Sequence, residues 1–128
     1  MKLLILIIAY LAIMLSKAAF ATEMRQYSEM DFNAEIYAGS LVALVFLAER
    51  CPACDQQTTS ISQLKKIPQY KAMKLLSINF DSEKSIVRKF NVEKPGTIIL
   101  MKGTTEVYRS SVAQSPNALK SAVDNALK

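Results

Sequence analysis

The chain alternates short apolar runs with longer segments in which apolar residues recur every three or four positions. The run at 41–47 is continuously apolar, a pattern typical of a strand that is buried on both faces. Two later apolar runs have the length of strands, and a turn at Lys102-Gly103 predicts that the second of them continues into a hairpin. The predicted strands are residues 41–47, 75–80, 97–101 and 106–109.

Helices are predicted between and after these strands. Ser28 and Asp31 are suited to cap the first helix, Gly39 to stop it, and Ser115 followed by Pro116 to begin the last one. The predicted helices are residues 28–39, 52–67, 82–90 and 115–127. Their predicted inward faces are Phe32, Ile36 and Tyr37; Ile61, Leu64 and Ile67; Ile86, Val87 and Phe90; and Leu119, Ala122, Val123, Ala126 and Leu127.

The order of the elements predicts the architecture. Strand–helix–strand units imply parallel pairing with right-handed crossovers, and the hairpin adds antiparallel strands at one side. We therefore expect an α/β domain with a mixed central sheet and helices on both faces.

The N-terminus has the pattern of an export signal. Met1-Lys2 is followed by an apolar stretch at 3–15, and Ala19-Phe20-Ala21 offers the small-x-small site of a signal peptidase. We expect residues 1–21 to be removed and residues 22–128 to form one domain in the periplasm or outside the cell. The alternative is an uncleaved membrane anchor at 3–16, although this stretch is short for a transmembrane helix.

Charge excludes one class of partner. The formal net charge is +5, and loss of Lys2 and Lys17 with the signal lowers it to +3. The remaining basic residues are scattered and form no basic stripe with aromatic residues between them. Nucleic-acid binding is therefore not expected, and we expect a monomer with a solvated surface.

The two cysteines, Cys51 and Cys54, carry the candidate chemistry. A bridge between them closes almost no loop, so it is poorly placed to stabilise the fold and well placed for redox exchange. A zinc site would need two more ligands, whereas the chain has no histidine and no third cysteine, so we expect no metal.

The predicted helix gives the two cysteines different roles. Pro52 permits a helix to start beside Cys51, and the unpaired N–H groups of a helix start favour a thiolate. We assign Cys51 as the nucleophile and Cys54 as the resolving cysteine. Arg50 favours the thiolate and Glu49 opposes it, unless the two are simply a solvated charge pair.

Three segments resemble the thioredoxin family: residues 45–54 its strand–CxxC–helix element, residues 77–81 the next strand, and residues 90–97 the approach to its cis-proline loop. The resemblance implies a thioredoxin-like fold and thiol–disulfide exchange without a cofactor. It also implies exported proteins with thiols or disulfides as substrates, and a redox partner in the membrane or envelope.

Several positions depart from the family pattern. Arg50 replaces the tryptophan that precedes the first cysteine, Val45 stands at the position of the buried acid, and Ser77 stands near that of the accompanying lysine. Proton removal from Cys54 would then depend on water or on another base.

The proline loop departs from the pattern as well. Pro95 comes one residue earlier than the family pattern expects, and Gly96 takes the expected position. Either the loop is shorter by one residue and the Lys94–Pro95 bond is cis, or Pro95 is trans and the loop is rebuilt. We expect the cis form and assign Pro95 and Gly96 to substrate binding.

These inferences predict an extracytoplasmic thiol–disulfide oxidoreductase that acts on protein disulfides, with reduction slightly favoured. A non-catalytic thioredoxin-fold module for binding or assembly is the alternative, and a trans bond at Pro95 would favour it. A third hypothesis is a thiol protein of copper handling or cytochrome maturation, because two thiolates can hold Cu(I).

Overall fold

A computed structural model describes residues 1–15 and 24–128 of the chain. Its elements follow the predicted order, with an N-terminal helix, one short strand and one 3-10 turn in addition. They are α1 (Lys2–Leu15), β1 (Arg25–Gln26), α2 (Glu29–Tyr37), β2 (Leu41–Leu47), α3 (Pro52–Lys65), the 3-10 turn Pro68–Tyr70, β3 (Lys74–Asn79), α4 (Lys84–Lys89), β4 (Ile98–Lys102), β5 (Thr105–Ser110) and α5 (Pro116–Ala126).

The strands form one five-stranded mixed sheet in the order β1-β3-β2-β4-β5. β3 runs parallel to both β1 and β2, whereas β4 is antiparallel to β2 and β5 is antiparallel to β4. The predicted α/β class and the mixed sheet are confirmed. The continuous apolar run of the sequence is β2, which lies at the centre of the sheet.

Each face of the sheet is covered by helices. Alternate side chains of β2 point to opposite faces, as the period of a strand requires. Leu41, Ala43 and Val45 pack in one core cluster with residues of α3 and α5. Val42, Leu44 and Phe46 pack in a second cluster with residues of α2 and α4. Six of the seven β2 residues are therefore fully or almost fully buried.

The predicted caps Ser28 and Ser115 are present, whereas Asp31 lies inside α2 and is not its N-cap. The Ser28 side chain accepts a hydrogen bond from the Asp31 N–H at the start of α2, and the Ser115 side chain accepts one from the Ala118 N–H at the start of α5. Gly39 follows the end of α2 with a φ of 75°, which is the left-handed conformation that glycine adopts at helix ends.

Three residues of the predicted inward faces are exposed instead. Tyr37 is 82% exposed, Leu127 is 48% exposed and Ile67 is 39% exposed. Ile67 and Leu127 lie beyond the last residues of α3 and α5, where the helical direction no longer applies. Tyr37 is the last residue of α2, and it stands about 140° around the helix from the buried Phe32.

The N-terminal segment forms α1, and residues 1–10 of it are exposed. Among residues 1–15 and 24–128, no helix combines the length and the apolar character needed to cross a membrane. Lys17 and the predicted cleavage site at Ala19-Phe20-Ala21 lie outside the described residues. Export and cleavage therefore stay predictions.

Candidate active site

The cysteine pair lies where the central strand passes into α3. β2 ends at Leu47, and the turn that follows places Arg50 at a φ of 53°, in the left-handed region. Cys51 is the N-cap of α3, with extended backbone angles, and Pro52 occupies the first turn of the helix. The fixed φ of proline suits this position, and its missing N–H leaves no helical hydrogen bond unmade.

Cys51 and Cys54 are joined by a disulfide, with their Cα atoms 5.2 Å apart. The two residues differ in exposure, because Cys51 is half-buried whereas Cys54 is only 2% exposed. An attacking thiol must meet its partner at the surface, so the difference favours Cys51 for that role. Their roles as nucleophile and resolving cysteine stay predictions.

The hydrogen-bonding environment of the two sulfurs is also unequal. The Cys54 N–H donates to Cys51 Sγ over 3.1 Å, and a donor of this kind stabilises a thiolate once the pair is reduced. Cys54 Sγ instead lies 3.8 Å from the carbonyl oxygen of Phe46. A carbonyl oxygen can only accept, so it favours the protonated thiol of Cys54 over its thiolate.

The loop before β4 differs from the prediction. The Lys94–Pro95 bond is trans, so the expected cis bond is wrong and the rebuilt loop is the form observed. Gly96 meets the cysteine motif instead: a Cβ placed on it would lie 3.1 Å from Ala53 Cβ. Gly96 has a φ of 85°, and its N–H donates to the Phe46 carbonyl over 2.8 Å. Proline has no N–H and cannot adopt this φ, which explains why glycine, and not proline, occupies the position next to Cys54.

The proposed modulating residues line the turn. Arg50 and Pro52 are exposed, as is Glu49. None of the ion pairs found among residues 1–15 and 24–128 includes Arg50 or Glu49. This arrangement fits the interpretation of Arg50 and Glu49 as a solvated charge pair.

Two uncharged residues stand together where the resemblance implies an acid and a lysine. Val45 is fully buried and lies opposite Ser77 in the β2–β3 register. The Ser77 hydroxyl donates to the Arg25 carbonyl over 3.3 Å, so it ties β3 to β1. An open cleft of about 330 Å³ adjoins this region, and it is lined by Gln26, Leu47, Ala48, Glu49, Ser77, Ile78, Asn79 and Glu83.

One residue of the site escaped the sequence analysis. Gln57 lies one turn after Cys54 and is fully buried. Its Nε2 donates to the Gly96 carbonyl over 3.0 Å and to the Val112 carbonyl over 2.9 Å, and its Oε1 accepts from the Gln114 N–H at 3.0 Å. The one signal in the sequence was a polar residue one turn after the CxxC motif, and this pattern is equally typical of a solvated helix face.

Comparison with known proteins agrees with this geometry. The family model named Thioredoxin matches residues 23–125. Thioredoxin 2 of Plasmodium falciparum (isolate 3D7) is 36% identical over 80 residues, which are 62% of this chain and 50% of the relative. The chain thus spans half the length of that relative.

Solved structures are similar as well. Trxlp from Edwardsiella tarda EIB202 superposes with a TM-score of 0.72 and 29% identity, over 77% of this chain and 96% of that one. Thioredoxin-2 of the malaria parasite, described as a component of its protein secretion machinery, has a TM-score of 0.62 and 34% identity, over 67% of this chain and 82% of that one. With its mixed sheet and its bonded CxxC pair at the start of α3, the chain belongs to the thioredoxin family, and this pair supports thioredoxin-like disulfide oxidoreductase chemistry.

Proposed function

We propose that the chain is an extracytoplasmic thiol–disulfide oxidoreductase that reduces disulfides of exported proteins. The observation that carries the proposal is the unequal pair at the start of α3: a half-buried Cys51 bonded to an almost fully buried Cys54. The accessible sulfur of Cys51 can react with a protein substrate, and the buried sulfur of Cys54 lies within bonding distance of it.

The catalytic cycle follows from this arrangement. In the reduced protein, the Cys51 thiolate attacks one sulfur of a substrate disulfide, and the other substrate sulfur leaves as a thiolate that takes up a proton. Cys54 then loses its proton and attacks Cys51 Sγ, which releases the second substrate thiol and forms the Cys51–Cys54 disulfide. Two electrons have passed to the substrate, and a dithiol partner in the membrane or envelope returns them.

The hydrogen bonds favour the reductive direction. Strong oxidants of this class owe their potential to a stabilised reduced form. Among the described residues, Cys51 Sγ accepts one hydrogen bond, from the Cys54 N–H. One donor stabilises a thiolate less than several donors would, and this supports the proposal of a reducing direction.

Disulfide reduction by the pre-reduced protein tests the proposal. We expect it to reduce insulin, and we expect Cys51→Ser to abolish the reaction. Cys54→Ser should retain a mixed disulfide with insulin through Cys51, because the resolving step is missing. Adducts that require Cys54 would reverse the assigned roles, and a wild-type protein without activity would refute the proposal. Equilibration with glutathione then gives the direction.

Location needs a separate measurement. Intact-mass analysis of protein from an envelope fraction should show a chain that begins at Thr22. A full-length chain recovered only in membranes would instead support the anchor at 3–16.

A non-catalytic binding or assembly module is the second candidate. It is supported by the trans bond at Pro95 and by the uncharged pair Val45 and Ser77. The malaria-parasite thioredoxin-2, to which this chain is similar, is described as a component of a protein secretion machinery, a context that suits a binding module. A module of this kind would keep its partner in Cys51→Ser and would show no insulin reduction.

A further inference from the structure

We infer that Gln57 is a positioning residue that fixes the distance between the two loops beside the cysteine pair, and thereby the groove that admits a polypeptide substrate. The inference rests on the proposed function, because it assigns a role in recognising the substrate of that same site.

The side chain of Gln57 bridges two loops that are far apart in sequence. One is the loop before β4, through the Gly96 carbonyl, and the other is the β5–α5 loop, through Val112 and Gln114. Because one nitrogen serves both carbonyl oxygens, at 3.0 Å and 2.9 Å, these oxygens lie within about 6 Å of each other. The two loops are thus held together from inside the protein.

The chemistry of the amide group determines this arrangement. Both Nε2 protons have carbonyl acceptors, and Oε1 has an N–H donor. With the amide reversed, Oε1 would face the two carbonyls and Nε2 would face the Gln114 N–H, so all of these bonds would be lost. A fully buried amide without partners is costly, and this one is therefore held in a single orientation.

The loop before β4 lies next to the cysteines, and Gln57 joins the β5–α5 loop to it. Gly96 lies against Ala53 and Cys54, Pro95 beside it is half-buried, and Val112 is 57% exposed. An extended polypeptide would contact both loops while its disulfide meets Cys51. A small disulfide would need only the sulfur, so the separation of the loops should affect polypeptide substrates selectively.

Ser60 provides a matched control. It lies one turn after Gln57 on α3, it is only 3% exposed, and its hydroxyl donates to the Gln114 carbonyl over 3.0 Å. It therefore ties the same helix to the same β5–α5 loop through a buried hydrogen bond. Among the described residues, however, Gln57 is the only one whose side chain donates a hydrogen bond to the Gly96 carbonyl.

The test compares two substrates in three variants. Gln57→Met keeps the side-chain volume and removes all three bonds, Gln57→Asn draws the amide back by one methylene, and Ser60→Ala removes the control bond. For insulin, we expect Gln57→Met to raise KM about tenfold with kcat nearly unchanged. Gln57→Asn should raise KM for insulin by a smaller factor, again with kcat nearly unchanged. For a small aromatic disulfide, the rate should stay within about twofold of wild type in every variant.

The outcomes separate the possible failures. Ser60→Ala should leave both KM values unchanged even where it lowers the melting temperature. If Ser60→Ala raised KM for insulin as much as Gln57→Met, or if Gln57→Met slowed both substrates equally, Gln57 would be a structural residue only. An inactive wild type would refute the proposed function itself. If Gln57→Met does not fold, Gln57→Asn decides by the same comparison.

Discussion

Replacement of Gly96 by alanine should destabilise the protein at its active site. The backbone there has a φ of 85°, and an added Cβ would lie 3.1 Å from Ala53 Cβ and 3.7 Å from the Cys54 nitrogen. Two separate costs follow, one from the left-handed conformation and one from crowding against the start of α3.

Both costs can be approximated. A left-handed conformation costs an alanine about 1–2 kcal/mol, partly offset because alanine restricts the unfolded chain more than glycine does. Crowding in a packed region adds about 1–3 kcal/mol, because the neighbour at 3.1 Å is a Cβ that cannot rotate away. We therefore expect Gly96→Ala to lower the free energy of unfolding by about 2–4 kcal/mol.

Gly39→Ala isolates the backbone cost. Gly39 also has a positive φ, 75°, but an added Cβ there would meet nothing within 4 Å. Urea unfolding of the oxidised proteins should give a loss of about 1 kcal/mol for Gly39→Ala and a clearly larger loss for Gly96→Ala. Equal losses would refute the crowding argument.

A double-mutant cycle with Ala53→Gly identifies the neighbour. Removal of the Ala53 Cβ should restore most of the stability that Gly96→Ala loses through crowding. We therefore expect a coupling free energy of about 1–2 kcal/mol between the two substitutions. A coupling near zero would show that the loop moves away from α3 without resistance.

Three further predictions concern stability. The Ser115 hydroxyl caps α5, so Ser115→Ala should lower the free energy of unfolding by about 1 kcal/mol in urea titrations, and no change would contradict the capping role. The Lys89 ammonium is the main group that lowers the pKa of Glu29 in the folded protein. The Glu29 carboxylate therefore stabilises the fold at pH values above its pKa in the unfolded chain, and it loses this effect as the pH falls through its lower pKa in the folded protein. Glu29→Gln should therefore be less stable than wild type at neutral pH, and the difference in stability should close as the pH falls through the pKa of Glu29 in the folded protein; a constant difference would contradict the ion pair. Val45→Asp would bury a carboxyl group beside the uncharged Ser77, so its loss of stability should grow as the pH rises from about 4 towards 8, whereas a packing defect alone would be independent of pH.

The sequence alone determined the long strands, the helices between and after them, and the serine caps of α2 and α5. Because successive side chains of a strand point to opposite faces, the continuous apolar run at 41–47 keeps its side chains out of water only if both faces of the strand are buried. In the structure this run is β2, at the centre of the sheet. Ser28 and Ser115 act through N–H groups three residues away, so their roles were visible locally. The CxxC pair was likewise local, since two cysteines three residues apart at a helix start lie within bonding distance in any packing.

Tertiary packing decided what the local pattern could not. β1 has two exposed residues, and it exists because β3 offers it an edge with which to pair. Whether the Lys94–Pro95 bond is cis depended on which residue packs against α3, and the contact went to Gly96, whose N–H pairs with the Phe46 carbonyl. Gln57 has the sequence pattern of a solvated residue, but its amide is buried because Gly96, Val112 and Gln114, distant in sequence, supply its partners. Such partners come from the fold, and hydrophobic periodicity carries no information about them.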